Sequence, residues 1–191
     1  LKKVLVANRG EIACRAIRTC RNLGIKSVAV YSVADKESLH VQLADEAYCI
    51  GSAQAKKSYL DIPSLLTVAK ACGADAVYPG YGFLAENAGF ADACVNAGLV
   101  FIGPPSEAIE KMGDKAIARK TMQEAGVSIV PGTKDLIEDE EEARKIADSI
   151  GYPVLIKATA GGGGKGMRVV ESSSELLKAL RQAASEAERS F

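Results

Sequence analysis

Lys3-Val-Leu-Val-Ala-Asn-Arg-Gly-Glu-Ile-Ala-Cys-Arg-Ala-Ile-Arg-Thr-Cys-Arg-Asn-Leu-Gly-Ile-Lys-Ser-Val-Ala-Val-Tyr31 is the stretch whose reading decides the fold. Residues 3–7 form a short apolar run that predicts a strand, and Asn8-Arg9-Gly10 reads as a turn. Ile12, Ala13, Ala16, Ile17, Cys20 and Leu23 then recur at helical spacing, with Arg15, Arg18 and Arg21 off the stripe. Gly24 is a helix stop, and residues 27–31 return to a strand. Strand, helix and strand within about thirty residues is the size of a βαβ crossover, which joins parallel strands.

The alternation continues. Strands are expected at 47–50, 75–78 and 99–102, and helices at 62–72 and 87–97. The fold class is therefore α/β, a parallel sheet covered by helices on both faces, in a first domain spanning 1–103. Pro104-Pro105 closes it. Residues 104–130 read as a connector of two helices broken at Gly113, and Pro131-Gly132 as a turn. Residues 138–142 are all acidic and precede Arg144-Lys145, a helix whose first turn sets acids against the macrodipole. Residues 131–191 form a smaller α+β unit: strand 153–157, a glycine-rich run, strand 167–170 and a helix over 174–189. Ser172 and Glu175 have capping-box spacing at its start.

Composition narrows the function classes. The 191 residues are 48% hydrophobic and 25% charged, a globular balance. Lys plus Arg is 24 and Asp plus Glu is 24, so the basic surplus of a general nucleic-acid or membrane-surface binder is absent. No run of about 20 apolar residues is present to span a bilayer. His40 is the only histidine, which excludes histidine-cluster metal sites within the chain. Cysteines 14, 20, 49, 72 and 94 lack C-x-x-C spacing and read as five reduced, buried residues of a reducing compartment. The chain begins Leu1-Lys2-Lys3 with neither initiating Met nor signal-peptide h-region, as expected of a processed or trimmed start.

The chemistry concentrates in Lys157-Ala-Thr-Ala-Gly161-Gly162-Gly163-Gly164-Lys165-Gly166-Met167. Each glycine costs about 0.5–1 kcal/mol relative to alanine inside a regular element. Four together let a backbone approach an anion and aim several N–H groups at it, and Lys157 and Lys165 add charge. The bland alternative is a flexible hairpin tip. A Walker A loop fails, because Gly166 follows Lys165 where a hydroxyl is needed, and a strand follows where a helix should. A dinucleotide fingerprint is weak with one glycine in Asn8-Arg9-Gly10-Glu11, and a kinase loop lacks its H-R-D and D-F-G partners. A glycine loop on a hairpin, with a strand lysine just before it, resembles the ATP-grasp enzymes.

Two polar motifs follow first-domain strands: Asn8-Arg9-Gly10-Glu11, and Pro79-Gly-Tyr-Gly-Phe-Leu-Ala-Glu-Asn87. A parallel sheet puts both on the edge where ligands bind. Two readings fit. Arg9, Glu11, Tyr81 and Glu86 line one cleft, or Pro79, Gly80 and Gly82 build a structural loop and the charges cap helices. Met112-Gly113-Asp114-Lys115 on spacing alone gives only a solvated helix lysine.

In order and spacing these motifs closely resemble the amino-terminal part of the biotin carboxylase family, essentially end to end. Leu43-Ala-Asp-Glu46, Lys57-Ser-Tyr-Leu60, Phe101-Ile-Gly-Pro104 and Gly126-Val127 add to the match. The resemblance implies a Rossmann-like pre-ATP-grasp domain and an ATP-grasp lid subdomain. It implies ATP-binding roles for Lys115, Lys157, Gly161, Gly162, Gly163, Gly164 and Met167, with Met167 at the adenine pocket. Tyr81 and Gly82 match the loop near the biotin and bicarbonate region, and Arg9 and Glu86 are further substrate-cleft candidates.

The implied reaction is a two-step ligase chemistry. ATP phosphorylates bicarbonate to carboxyphosphate, which carboxylates a biotin ring nitrogen, with water excluded by a mobile lid. Implied partners are a biotin carboxyl carrier protein or domain and a carboxyltransferase component, with a homodimer through the first domain. The compartment is cytoplasm, mitochondrial matrix or plastid. The Mg2+ ligands, general-base glutamate and biotin-facing arginine fall beyond Phe191, so no catalytic or metal residue is assigned here, and the chain alone is expected to be inactive. Lys165 stands where many members have Arg, and Tyr78 where His is common. Arg18 matches an Arg that helps some members dimerise, while Asn22 replaces its Glu partner. The rival readings are another ATP-grasp ligase and a non-catalytic ATP-grasp-related binding or assembly module. The final acyl acceptor is not legible.

Overall fold

The computed structural model describes residues 1–133, 137, 139–157 and 167–190, with backbone alone at 115–116 and 186–190. The chain forms two compact units, Leu1–Lys115 and Ala116–Phe191.

The first unit is an α/β layer structure. It runs β1 (Lys3–Val6), α1 (Gly10–Asn22), β2 (Lys26–Ser32), α2 (Leu39–Leu43), β3 (Glu46–Gly51), α3 (Ile62–Ala71), β4 (Ala76–Tyr78), α4 (Ala88–Asn96) and β5 (Val100–Phe101). All five strands are parallel, in the order β3-β2-β1-β4-β5. The alternation of side chains along each strand explains the two helical layers. Leu5, Val28, Val30 and Val77 share a core with Leu65, Ala69, Phe90 and Cys94 of α3 and α4. Val6 and Ala29 point the other way, into a core with Ala13 and Ile17 of α1. Buried on both faces, β1 and β2 read as continuous apolar runs.

The elements the periodicity predicts are present, with differences at the edges. β5 has two residues, because it is a sheet edge paired only with Ala76 and Val77. The five-residue α2 and two one-turn 3-10 helices, Val33–Asp35 and Ala55–Lys57, were not expected, since none is long enough to carry a period. All five cysteines are free, but Cys49 is exposed, correcting the expectation of five buried thiols. It lies on β3, the other edge strand, at a position facing away from the core. α5 (Ser106–Gly113) buries Ile109 and belongs to the first unit.

The second unit follows from α6 (Lys115–Glu124), whose Arg119 Nη2 donates to the Val130 carbonyl at 2.6 Å. α7 (Glu140–Ile150) opens on Asp139, whose Oδ1 accepts from the Glu141 N–H at 3.1 Å. β6 (Val154–Lys157) and β7 (Met167–Val170) pair antiparallel, and α8 (Ser173–Ser190) closes the unit. A two-stranded hairpin is marginal alone. Here Val154, Ile156 and Val170 pack with Ala147 of α7 and Leu176 and Ala179 of α8. At the start of α8 the Ser172 hydroxyl pairs with that of Ser174 at 2.9 Å, and the Glu175 N–H donates to the Ser172 carbonyl at 3.1 Å. No described helix is long and apolar enough to cross a membrane.

His40 is fully buried, with Nε2–H donating to the Val30 carbonyl at 3.2 Å and Nδ1 without a partner among the described residues. Burial pushes its pKa below the ordinary value. The unfolded chain takes up this proton near pH ~6.5, before the folded chain does. The stability contribution is thus complete above that pH and is lost as pH falls toward the folded pKa. Urea midpoints are expected to fall between about pH 7.5 and 5.5, and to fall less in His40→Gln. An equal fall in both proteins would assign the effect to another group.

Candidate functional site

Sheet order sets the place of the site. From β1 the chain runs outward through β2 and β3, then returns to the other side of β1 with β4. The reversal opens a crevice beyond the carboxyl ends of β1 and β4, the position where open α/β sheets take ligands. Asn8 follows β1 and is buried. Its Nδ2 donates to the carbonyls of Pro79 (2.8 Å) and Tyr81 (3.0 Å), and its Oδ1 accepts from the Arg9 N–H (2.9 Å). One amide thus ties the loop after β4 to the loop after β1. Gly80 sits against it at φ +68°, where an added Cβ would lie 2.6 Å from Ile12 Cγ2 and 3.0 Å from Asn8 Nδ2.

Glu11 and Arg9 at this crevice both have partners. The Tyr81 hydroxyl donates to the Glu11 carboxylate, which raises the phenol pKa. Arg9 pairs with Asp35, a buried carboxylate in the 3-10 turn after β2. Asp35 also accepts from the hydroxyls of Ser32 (2.9 Å) and Tyr59 (2.8 Å). Burial would push this carboxyl up, but the bonds from Arg9, Tyr59 and Ser32 outweigh it and hold the pKa below the usual value. The Tyr59 hydroxyl in turn accepts from the Ser32 N–H at 3.0 Å, and burial pushes the phenol up to about 12. The Tyr59 ring stacks on Phe83, centroids 4.9 Å apart and planes 9° apart.

Tyr81, Gly82 and Arg9 therefore gather at one edge with Glu11. Glu86 is exposed on the same loop, outside this hydrogen-bonded network among the described residues. Sequence reasoning missed Asn8, Asp35 and Tyr59 as organisers of the edge. Asp35 sits in a turn without periodicity. Tyr59 lies in the quoted Lys57–Leu60 motif, which carried no chemical signal of its own.

In the second unit, Lys157 and Met167 are direct cross-strand partners, the last residue of β6 opposite the first of β7. Opposed residues of an antiparallel pair share a face. Val154 and Ile156 face the helices, so Leu155, Lys157, Met167 and Val169 stand on the other, exposed face. That face is an apolar surface with one ammonium beside it. Gly161, Gly162, Gly163, Gly164 and Lys165 lie outside the described residues, and Lys115 opens α6 with its backbone alone described.

Comparison with known proteins covers the whole chain. Residues 1–109 match the family described as biotin carboxylase, N-terminal domain, and residues 114–191 the family described as carbamoyl-phosphate synthase L chain, ATP binding domain. Biotin carboxylase 1 of Bacillus subtilis (strain 168) is 57% identical over 191 residues, covering 100% of this chain and 42% of its own length. The propionyl-CoA carboxylase alpha chain of Ruegeria pomeroyi is 55% identical over 189 residues, covering 99% of this chain and 28% of its own. A biotin carboxylase–β-γ-ATP complex from Campylobacter jejuni matches with TM-score 0.87 at 49% identity, over 100% of this chain and 43% of that one. A biotin carboxylase domain dimer of Hydrogenobacter thermophilus 2-oxoglutarate carboxylase, in complex with MgADP, ADP and bicarbonate, matches with TM-score 0.85 at 50% identity, over 100% and 42%. The chain spans under half the length of these relatives.

Two glycines of the crevice loop separate backbone from packing effects. Gly82→Ala meets open space at φ +72° and is expected to cost about 1–2 kcal/mol from left-handed backbone alone. Gly80→Ala adds the collision with Ile12 and Asn8 and is expected to cost about 1–3 kcal/mol more. Urea unfolding of the two variants reads the difference. Equal losses would mean that the loop yields at Gly80.

Proposed function

The chain belongs to the family of biotin carboxylase N-terminal domains, and on that premise we propose that it forms the substrate-cleft and nucleotide-lid part of a biotin carboxylase. Such an enzyme is an ATP-dependent C–N ligase that uses bicarbonate to carboxylate biotin on a carrier protein or domain. The observation that carries the reading is the pairing of Lys157 with Met167 on the uncovered hairpin face, at the two ends of the segment holding Gly161–Gly164.

The residues present fit a nucleotide. Leu155, Met167 and Val169 offer an apolar surface to a base, and Lys157 offers a cation to a phosphate. In this reading Met167 packs against adenine, and Lys157 and Lys115 hold the phosphates or the polar edge of the base. The glycine amides cover the phosphates, with water excluded beneath them. ATP supplies the phosphoryl group when bound. Tyr81, Gly82, Arg9 and Glu86 line the cleft for bicarbonate and the biotin ring. The Mg2+ ligands and the general base belong to other parts of the enzyme in this reading. The partners proposed are a carrier domain, a carboxyltransferase component and a second copy meeting through the first unit, where Arg18 is exposed on α1. The five free thiols fit a reducing compartment.

A chimera in which this chain replaces the matching segment of the Bacillus subtilis relative tests the reading. It is expected to carboxylate biotin with ATP and bicarbonate, and Lys157→Ala to raise KM for ATP about tenfold or more. A folded chimera without activity would overturn the assignment. The 191-residue chain by itself is expected to bind ATP weakly and to turn nothing over. Submicromolar ATP binding in calorimetry would refute a divided nucleotide site.

A further inference from the structure

Asp35 and Tyr59 touch neither substrate nor nucleotide in the function proposed above, yet both are buried polar groups at the crevice. Apolar packing would cost less to bury than a carboxylate, so a charge held here asks for a reason beyond stability. We infer that Asp35 and Tyr59 are positioning residues that hold, through Arg9 and Phe83, the two loops bounding the bicarbonate and biotin cleft. The inference rests on the function proposed above.

Asp35 Oδ1 takes the Arg9 guanidinium, fixing the loop after β1. Its Oδ2 takes the Ser32 and Tyr59 hydroxyls. Both oxygens are engaged, so Asp35 acts through its partners. Arg9 keeps half its side chain exposed, with N–H donors beyond those Asp35 takes. On the other arm, the hydroxyl bonds to Asp35 and Ser32 lock the plane of the Tyr59 ring, and that ring stacks on Phe83. Phe83 lies two residues beyond Tyr81 at φ +39°, a conformation that a bulky L residue holds only under constraint. The stack supplies the constraint. Neither loop moves without breaking a buried charge-assisted bond or an aromatic contact.

Three variants divide the network: Asp35→Asn removes the charge, Tyr59→Phe removes the hydroxyl but keeps the stack, and Tyr59→Leu removes both. In the chimera, Asp35→Asn and Tyr59→Leu are expected to raise KM for biotin or bicarbonate at least about fivefold, with KM for ATP changed less than about twofold. Tyr59→Phe should recover much of the loss seen in Tyr59→Leu. A merely structural role would lower the melting temperature and kcat and leave these KM values alone, and that result overturns the inference. A second arm needs no activity. In the 191-residue chain, the Ala85 and Asn87 amides donate to the Gly82 and Leu84 carbonyls at 2.9 and 3.1 Å. Their hydrogen exchange is expected to quicken about tenfold or more in Tyr59→Leu, while β1 amides keep their protection. Unchanged exchange overturns the inference, whereas an inactive parent chimera with quickened exchange speaks against the proposed function alone.

Discussion

The side-chain amide of Asn8 is the constraint on which the carboxyl edge of the sheet depends. The buried Asn8 side chain satisfies two carbonyls of the opposite loop, that of Pro79 out of reach of water, and one N–H of its own loop. A buried carbonyl without such a donor costs on the order of 1–3 kcal/mol, so the loop after β4 has one good place to lie. The rest follows by exclusion. Gly80 must lack a side chain because the amide and Ile12 fill its Cβ position. Tyr81 is delivered over the first turn of α1, within reach of Glu11. Arg9 leaves the turn toward β2 and meets Asp35. An open parallel sheet provides the crevice, and one asparagine decides what its walls present.

The second unit works by a different asymmetry. A hairpin has two faces, and α7 and α8 cover one of them. Strand alternation then leaves Leu155, Lys157, Met167 and Val169 on the other. An uncovered apolar strip is an unfavourable exposure in a finished globule. Next to Lys157, that strip is the surface to which the nucleotide role is proposed. The same pairing that gives the hairpin its register therefore sets the chemistry of its free face.

Much of this was legible in the sequence, for physical reasons. β1, α1 and β2 announce themselves through a strand buried on both faces and a helix with a single apolar stripe. The meeting of the Asn8 and Tyr81 loops follows from the rule that parallel strands end on one edge. The two strands of the hairpin were readable because a glycine-rich run separates two short apolar segments, whereas their register is a finding of the structure. Asp35 and Tyr59 were not legible. They act through hydrogen bonds between residues more than twenty positions apart, from 3-10 turns and loops that leave no periodic trace. Cys49 was misread because burial was inferred from residue type, and a strand's place at the sheet edge is a property of topology.

The strand order also has a consequence for how the molecule assembles. β1 pairs with β2 across one helix, Lys3 beside Lys26, but it pairs with β4 only after the intervening chain has closed, Val4 beside Ala76. The longer closure costs about 1 kcal/mol more in chain entropy, and its contacts are the nonlocal ones that slow folding. The crevice lies on that later seam. The Asn8 amide, exposed at the end of a nascent βαβ unit, waits for a segment some seventy residues downstream before its hydrogen bonds are made. Among the strand pairings of the first unit, β1 with β4 closes the longest stretch of chain, and a β1 without β4 would present an unpaired edge of the kind that recruits other chains.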